Sequence, residues 1–176
     1  MRATTITLLL CLISLLGYTQ ETTKVETVKG KKLEWFTRHI TVEAIDPKTG
    51  KTVIREILER TTLKSYDGVD VATNAPSSVH KKVNKWVNKH LKTIKRPKFH
   101  NRDMRIQFAN YVVDTSGKLV YYEMLLYPYK QSLQLYPNEY TEEIKQYLKA
   151  IEDKINSFEG LGKQKGMIFV ATPIEL

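Results

Sequence analysis

The order of the elements predicted for the C-terminal part of this chain constrains its fold more than any other feature. Apolar residues recur at helical spacing from Pro76 to Ile94 and from Thr141 to Asn156, which predicts two amphipathic helices. Strands are predicted for Met104 to Asp114, Leu119 to Tyr127 and Met167 to Thr172. This α-β-β-α-β order indicates an α+β domain over residues 76–176, with a three-stranded antiparallel sheet and two helices on one face.

Short-range signals mark the ends of these elements. Ser77 or Ser78 is predicted to cap the first helix, because a hydroxyl at that place accepts a backbone hydrogen bond. Gly117 is the expected positive-φ residue of the turn between the first two strands. Gly160 and Gly162 follow the second helix and are predicted to end it. The residues predicted to be buried are Trp86, Val87, Leu91, Phe108, Val112, Leu148, Ile151 and Phe169.

The residues before this domain predict a β-hairpin that packs beside the sheet or extends it. Its strands lie within Leu33 to Thr62, and the segment Asp46 to Gly50 contains the proline and glycine that turns prefer. Residues 33–75 are therefore predicted to be a hairpin extension followed by a loop from Leu63 to Ala75. Residues 20–32 are rich in Thr, Lys and Glu and are predicted to be a flexible N-terminal segment.

The first residues have the pattern of a secretory signal peptide. Arg2 is followed by an apolar run from Ile6 to Leu16, and small residues precede Gln20. We predict a signal peptide over residues 1–19, a mature protein that is periplasmic or secreted, and no stable membrane span after cleavage. Retention of the leader as an anchor is the alternative, although the run is shorter than the roughly 20 apolar residues that a spanning helix needs.

No catalytic or metal-binding constellation is recognised in the sequence. The single cysteine, Cys11, lies in the leader, so the mature chain would have no disulfide and no thiol nucleophile. No histidine is spaced from a second ligand type in a zinc pattern. We predict no enzymatic activity, no metal and no cofactor; the competing class is a small envelope hydrolase that uses His39 or His100 with a nearby acid. The four histidines are His39, His80, His90 and His100.

Positive charge is concentrated on the first predicted helix. The net charge of the chain is +9, and a row of lysines lies opposite the apolar stripe of this helix. The row is either a solvated face that maintains solubility or a patch that attracts an acidic partner. Because the protein is predicted to be exported, acidic envelope components are better candidates than nucleic acid. The residues of this basic patch are Lys81, Lys85, Lys89 and Lys92.

Tyrosines are dense between the second strand and the second helix. Tyrosines on strands and loops usually pack on the sheet while their hydroxyl groups stay in water, and a recognition surface is the alternative. The residues are Tyr121, Tyr122, Tyr127, Tyr129, Tyr136 and Tyr140.

Through a series of short motifs, residues 76–176 are similar to a known family. The motif residues, in chain order, are Ile106, Phe108, Val112, Val113 and Asp114, then Gly117-Lys118, then Gly162-Lys163-Gln164-Lys165-Gly166, and finally Pro173-Ile174-Glu175-Leu176. Their order and spacing resemble the C-terminal domain of TonB-type energy transducers, in the form common among Bacteroidetes-like envelope proteins.

This resemblance implies a non-enzymatic periplasmic domain that recognises extended segments of protein or peptide partners in the cell envelope, with an outer-membrane receptor as one candidate. Such recognition uses strand addition, for which an exposed sheet edge is a template. The alternative is a basic secreted protein that binds polyanions or acidic partners through the basic patch. The edge that we expect to bind is the last predicted strand, which consists of Met167, Ile168, Phe169, Val170, Ala171 and Thr172.

Overall fold

A computed structural model describes residues 22–45, 52–73, 75–128, 134–135 and 137–176. The predicted signal peptide, residues 1–19, and the predicted turn from Asp46 to Gly50 lie outside the described residues. Within them the chain forms eight strands, two α-helices and a short 3-10 helix, Pro137–Glu139, and is therefore a mixed α+β protein. It divides into two compact units, the first ending at Gly68 and the second beginning at Val69.

The first unit is an antiparallel sheet of three strands in the order β1-β2-β3, formed by Thr22–Val28, Lys31–Ile45 and Thr52–Tyr66. β2 and β3 confirm the predicted hairpin and are longer than expected at its open end. β1 corrects the prediction of a flexible segment over residues 20–32. Likewise, the predicted loop beginning at Leu63 is wrong, because β3 continues to Tyr66.

β1 is held to its neighbours by polar cross-strand contacts rather than by an apolar face. The Thr37 hydroxyl, fully buried, donates a hydrogen bond to the Thr22 carbonyl at 2.9 Å. Arg60 Nη1 lies 3.0 Å from Glu26 Oε2. Such pairs stabilise a strand only once its partners are in place, which is why the composition of β1 alone suggested a mobile segment.

The second unit contains one sheet of five strands, so the prediction of three strands was incomplete. Its antiparallel centre is the predicted trio in the order β7-β5-β6. β4 pairs in parallel with β7, and β8 pairs with β5 on the side away from β6. The strands are β4, Val69–Ala72; β5, Met104–Val113; β6, Leu119–Pro128; β7, Met167–Val170; and β8, Ile174–Glu175.

Two helices, α1 (Ser77–His90) and α2 (Glu142–Asn156), contribute their apolar stripes to the core of this unit. The predicted serine cap of α1 is wrong, because Pro76 occupies the cap position and no side chain bonds there. α1 also ends before Ile94, at His90. α2 begins as predicted, since the Thr141 hydroxyl accepts a hydrogen bond from the Ile144 amide at 3.3 Å.

The pairing register of β5 changes within the strand. This change decides which residues of β5 belong to the core cluster that the sheet shares with the helices. Asn110 has φ +46° and lies where the pairing of β5 with β6 shifts, so it acts as a β-bulge. After the bulge, Tyr111 and Val113 share the core cluster with Phe108, whereas Val112 is buried outside it. A strict alternation from Met104 through Phe108 would place Val112 in the core cluster; it fails beyond Phe108, because one extra residue reverses the alternation of faces.

Two of the residues predicted to be buried, Trp86 and Leu148, are only half-buried and pack against the edge of the core cluster. The others are buried as predicted: Val87, Leu91, Phe108, Val112, Ile151 and Phe169.

The turn between β5 and β6 fits closely against the loop that precedes β7. Gly117, as predicted, has positive φ, +87°. The Leu161 amide donates to the Gly117 carbonyl at 2.9 Å, and the Gln164 amide donates to the Thr115 carbonyl at 2.8 Å. These bonds join the hairpin β5-β6 to the chain that enters β7.

Candidate functional site

The strand predicted to be the binding edge, β7, lies inside the sheet. Its antiparallel neighbour on one side is β5, with Phe169 opposite Val112. On the other side β4 pairs with Met167 and Ile168. Ala171 and Thr172 are exposed but lie beyond the end of the strand. The prediction of a free edge is therefore wrong at Met167 and Ile168, because β4 was not recognised as a strand.

The outer strand of this sheet is β6. The Leu126 carbonyl accepts a hydrogen bond from the Leu135 amide at 2.8 Å, so it points away from β5. Because backbone groups of alternate residues in an antiparallel strand point the same way, those of Met124 and Tyr122 also face outward. In the part of the chain that the structure describes, no strand pairs with β6 on this side.

An open groove of about 510 Å³ lies between β6 and α2, next to this outer edge. Tyr122 and Met124 on the strand and Leu148 on the helix, all half-buried, provide its apolar surface. We call this the β6–α2 groove. Its remaining lining residues, all on α2, are Lys145, Lys149, Glu152, Asp153 and Asn156.

Charge is distributed unequally along the helical side of the groove. Among the charged residues that line the groove, Lys145 and Lys149 precede Glu152 and Asp153 along α2. Lys145 also pairs with Glu142 at 2.6 Å, on the exposed surface.

The strand side of the groove is supported from within the core. Burial and the nearby Glu152 carboxylate raise the pKa of Tyr122 to about 12, so its hydroxyl stays neutral at physiological pH. The Tyr122 ring stacks on the fully buried Phe108, with ring centres 5.4 Å apart and an interplanar angle of 15°. The position of Tyr122 at the groove thus depends on the core beneath it.

The four lysines of the basic patch are exposed, as a solvent-facing row requires: Lys81, Lys85, Lys89 and Lys92. Lys92 lies just beyond the end of α1. Within the described ranges none of them forms an ion pair. The helix itself contains no acidic residue.

The histidines are dispersed, and His80 and His90 each contact an aromatic side chain. His80 Nδ1 lies 3.0 Å from the hydroxyl of the buried Tyr111. His90 stacks on Trp86, with ring centres 5.0 Å apart. His39 and His100, the residues of the competing hydrolase hypothesis, are exposed. Among the described residues no group of three His, Cys, Asp or Glu side chains is placed to hold a metal ion.

A smaller hollow of about 310 Å³ lies beside Trp86. Its wall includes Phe158, whose ring meets Trp86 edge-on at 4.9 Å, together with Lys89 and Glu159. The half-burial of Trp86 is explained by this position at the rim of the core.

The groove residues Met124 and Leu148 were not singled out as a site from the sequence, although Tyr122 belongs to the tyrosine-rich window. Leu148 was assigned to the buried stripe because it has the spacing of a core residue. The apolar spacing of Leu148 is the same whether the residue lies in the core or at a groove. The strand order, which places β6 outermost, shows that it lies at a groove.

In the described ranges no helix has both the length and the apolar character needed to cross a membrane. Comparisons with known protein families, with curated proteins and with solved structures found no match to this chain.

Proposed function

We propose that this chain is a non-enzymatic, TonB-like interaction domain that binds an extended segment of a protein partner by strand addition, and that the segment adds to the outer side of β6. The observation that carries the proposal is the outward-facing backbone of Tyr122 and Met124 beside the β6–α2 groove. The edge differs from the one suggested by the sequence, because β7 has a neighbour on each side.

Strand addition requires two features that meet at β6. Outward backbone groups supply hydrogen bonds to any sequence, and pockets for alternate side chains supply specificity. Tyr122 and Met124 provide both, since their backbone faces outward while their side chains line the groove. An extended segment on β6 would therefore place every second side chain against the surface formed with Leu148.

The resemblance to TonB-type domains and the leader pattern support a periplasmic or secreted location for this activity. The partner would be a cell-envelope protein, with an outer-membrane receptor as one candidate. N-terminal sequencing of the exported protein is expected to find a start near Gln20, and an intact Met1 would argue for an anchored protein instead.

Replacing Met124 by proline is expected to weaken peptide binding about tenfold. Proline removes one outward amide, and loss of a bond worth about 1.4 kcal/mol changes affinity tenfold. Random ten-residue peptides displayed on phage would be selected on the full chain, and their affinities measured by fluorescence anisotropy. Met124→Leu is the matched control, because it keeps the amide and an apolar side chain.

Equal affinities for the Met124→Pro and Met124→Leu variants would contradict binding at β6. Proline is tolerated on edge strands where its missing amide would face solvent, and near-ultraviolet circular dichroism would check the fold. Hydrogen exchange on the unmodified chain gives an independent test. The Met124 amide should exchange more slowly when peptide is bound, and unchanged exchange would also contradict the proposal.

A second candidate function is polyanion binding by the basic patch, favoured by its four exposed lysines and the absence of acidic residues from α1. Heparin is a suitable probe. Binding should fall steeply with salt, because charges more than about 10 Å apart are largely screened at 0.1 M.

Replacing all four lysines of the basic patch by glutamate should abolish heparin binding. The matched control makes the same change at Lys98, Lys118, Lys163 and Lys165, which are also exposed; equal loss in both variants would exclude a local site.

A further inference from the structure

The charges along the β6–α2 groove have a direction, and this bears on which segments the groove accepts. Lys145, Lys149 and Asp153 follow one another at intervals of one helical turn. They form a stripe along the groove that begins positive and ends negative. From Lys145 to Asp153 the stripe spans about 12 Å, at about 1.5 Å per helical residue.

The orientation of this stripe relative to β6 follows from hydrogen bonds on either side of α2. Before α2, the Leu135 amide donates to the Leu126 carbonyl, near the end of β6. After α2, the Leu161 amide donates to the Gly117 carbonyl, just before β6 begins. α2 therefore runs back along β6, with the positive end of the stripe toward Leu126 and the negative end toward Tyr122.

An added strand has a preferred direction on β6. Antiparallel pairs are somewhat more stable per residue than parallel pairs and are more common. Leu135 already occupies the edge at Leu126, so the N-terminal part of an antiparallel segment lies opposite Met124, toward the positive end of the groove. Its C-terminal part lies beyond Tyr122, at the negative end.

We infer that the groove selects extended segments with an acidic residue, then an apolar residue, then a basic residue at alternate positions, bound antiparallel to β6. Three alternate side chains of a strand span about 14 Å, close to the length of the charged stripe. The acidic side chain would meet Lys145 and Lys149, the apolar one Tyr122, Met124 and Leu148, and the basic one Glu152 and Asp153. This inference depends on the proposed function, since it specifies the partner of the same groove.

Two synthetic peptides of identical composition test this selectivity. Each is a fluorescein-labelled nine-residue threonine peptide with three substituted positions, numbers three, five and seven, as the alternation requires. One has glutamate, valine and lysine in that order, and the other has lysine, valine and glutamate. The first should bind the full chain about threefold to tenfold more tightly, because its charged side chains lie beside opposite charges of the groove, whereas those of the second lie beside like charges. The difference should shrink in high salt.

A charge-exchanged variant provides the matched control. Lys145→Glu, Lys149→Glu, Glu152→Lys and Asp153→Lys together leave the net charge unchanged, and the preference should reverse. Equal affinities of the two peptides, or a preference that the exchange does not alter, would overturn the charge inference while leaving strand addition in place. A preference of the unmodified chain for the second peptide would overturn the antiparallel direction. If phage-selected peptides bind β6 but neither of these two peptides does, the inferred selectivity is overturned. If no peptide of any kind binds, the proposed function itself is overturned.

Discussion

Replacing Gly117 by alanine is expected to lower the free energy of unfolding by about 2–6 kcal/mol. Gly117 has φ +87°, a conformation that costs other residues about 1–3 kcal/mol. An added Cβ would also collide with the Gly162 carbonyl and lie 2.9 Å from the Leu161 amide. Overpacking of this kind typically costs a further 1–3 kcal/mol. Urea unfolding followed by far-ultraviolet circular dichroism measures the sum.

Gly162 offers a matched control for this substitution. Its φ, +79°, is similar, but nothing lies within 4 Å of the place where its Cβ would be. Gly162→Ala should therefore cost only the backbone part, about 1–3 kcal/mol. Equal losses at the two positions would mean that the close approach of the two loops contributes nothing.

Replacing Phe108 by alanine is expected to cost about 3–5 kcal/mol, as for other buried phenylalanines. Phe108 is fully buried and its ring lies against those of Tyr111 and Tyr122. Trp86→Ala should cost less, about 2 kcal/mol, since the half-buried Trp86 loses mainly its two ring contacts. Urea unfolding of both variants gives the comparison, and a larger loss at Trp86 would contradict the burial pattern.

The Phe108 variant also links the core to the groove. Loss of the stacked ring removes the support beneath Tyr122. Peptide affinity should therefore fall in this variant even under conditions where the protein remains folded. In Trp86→Ala, which lies outside the groove, the affinity should be unchanged.

Local patterns predicted much of this fold. The stripes of α1 and α2 depend on residues three or four apart, so Val87 and Ile151 were correctly assigned to the core. The turn at Gly117 likewise depends on a short segment. The Leu33 to Thr62 hairpin was recognised because its strands are long and rich in β-branched residues.

The errors concern features that depend on distant residues. β4 has only four residues, and β7, with which it pairs in parallel, lies far along the chain. The Asp67-Gly68 pair just before Val69 is a turn signal that precedes strands, but the sequence interpretation assigned it to a loop. Missing β4 made β7 seem an edge, so the predicted binding edge was assigned to a strand that has a neighbour on each side. The bulge at Asn110 is also invisible in an alternating pattern, because asparagine at positive φ has no counterpart in the hydrophobic spacing.

β5 pairs with one strand that is close to it in the sequence and with two that are far from it, and this has a consequence for folding rates. β5 meets β6 across the short turn at Gly117, whereas β7 and β8 reach it only after α2. Because closing a long loop costs more entropy, the β5-β6 hairpin should belong to the folding nucleus and the last strands should dock afterwards. Damage to the hairpin would then delay formation of the native state, whereas damage to β7 would shorten its lifetime. Chevron plots of hairpin and β7 variants separate these two effects.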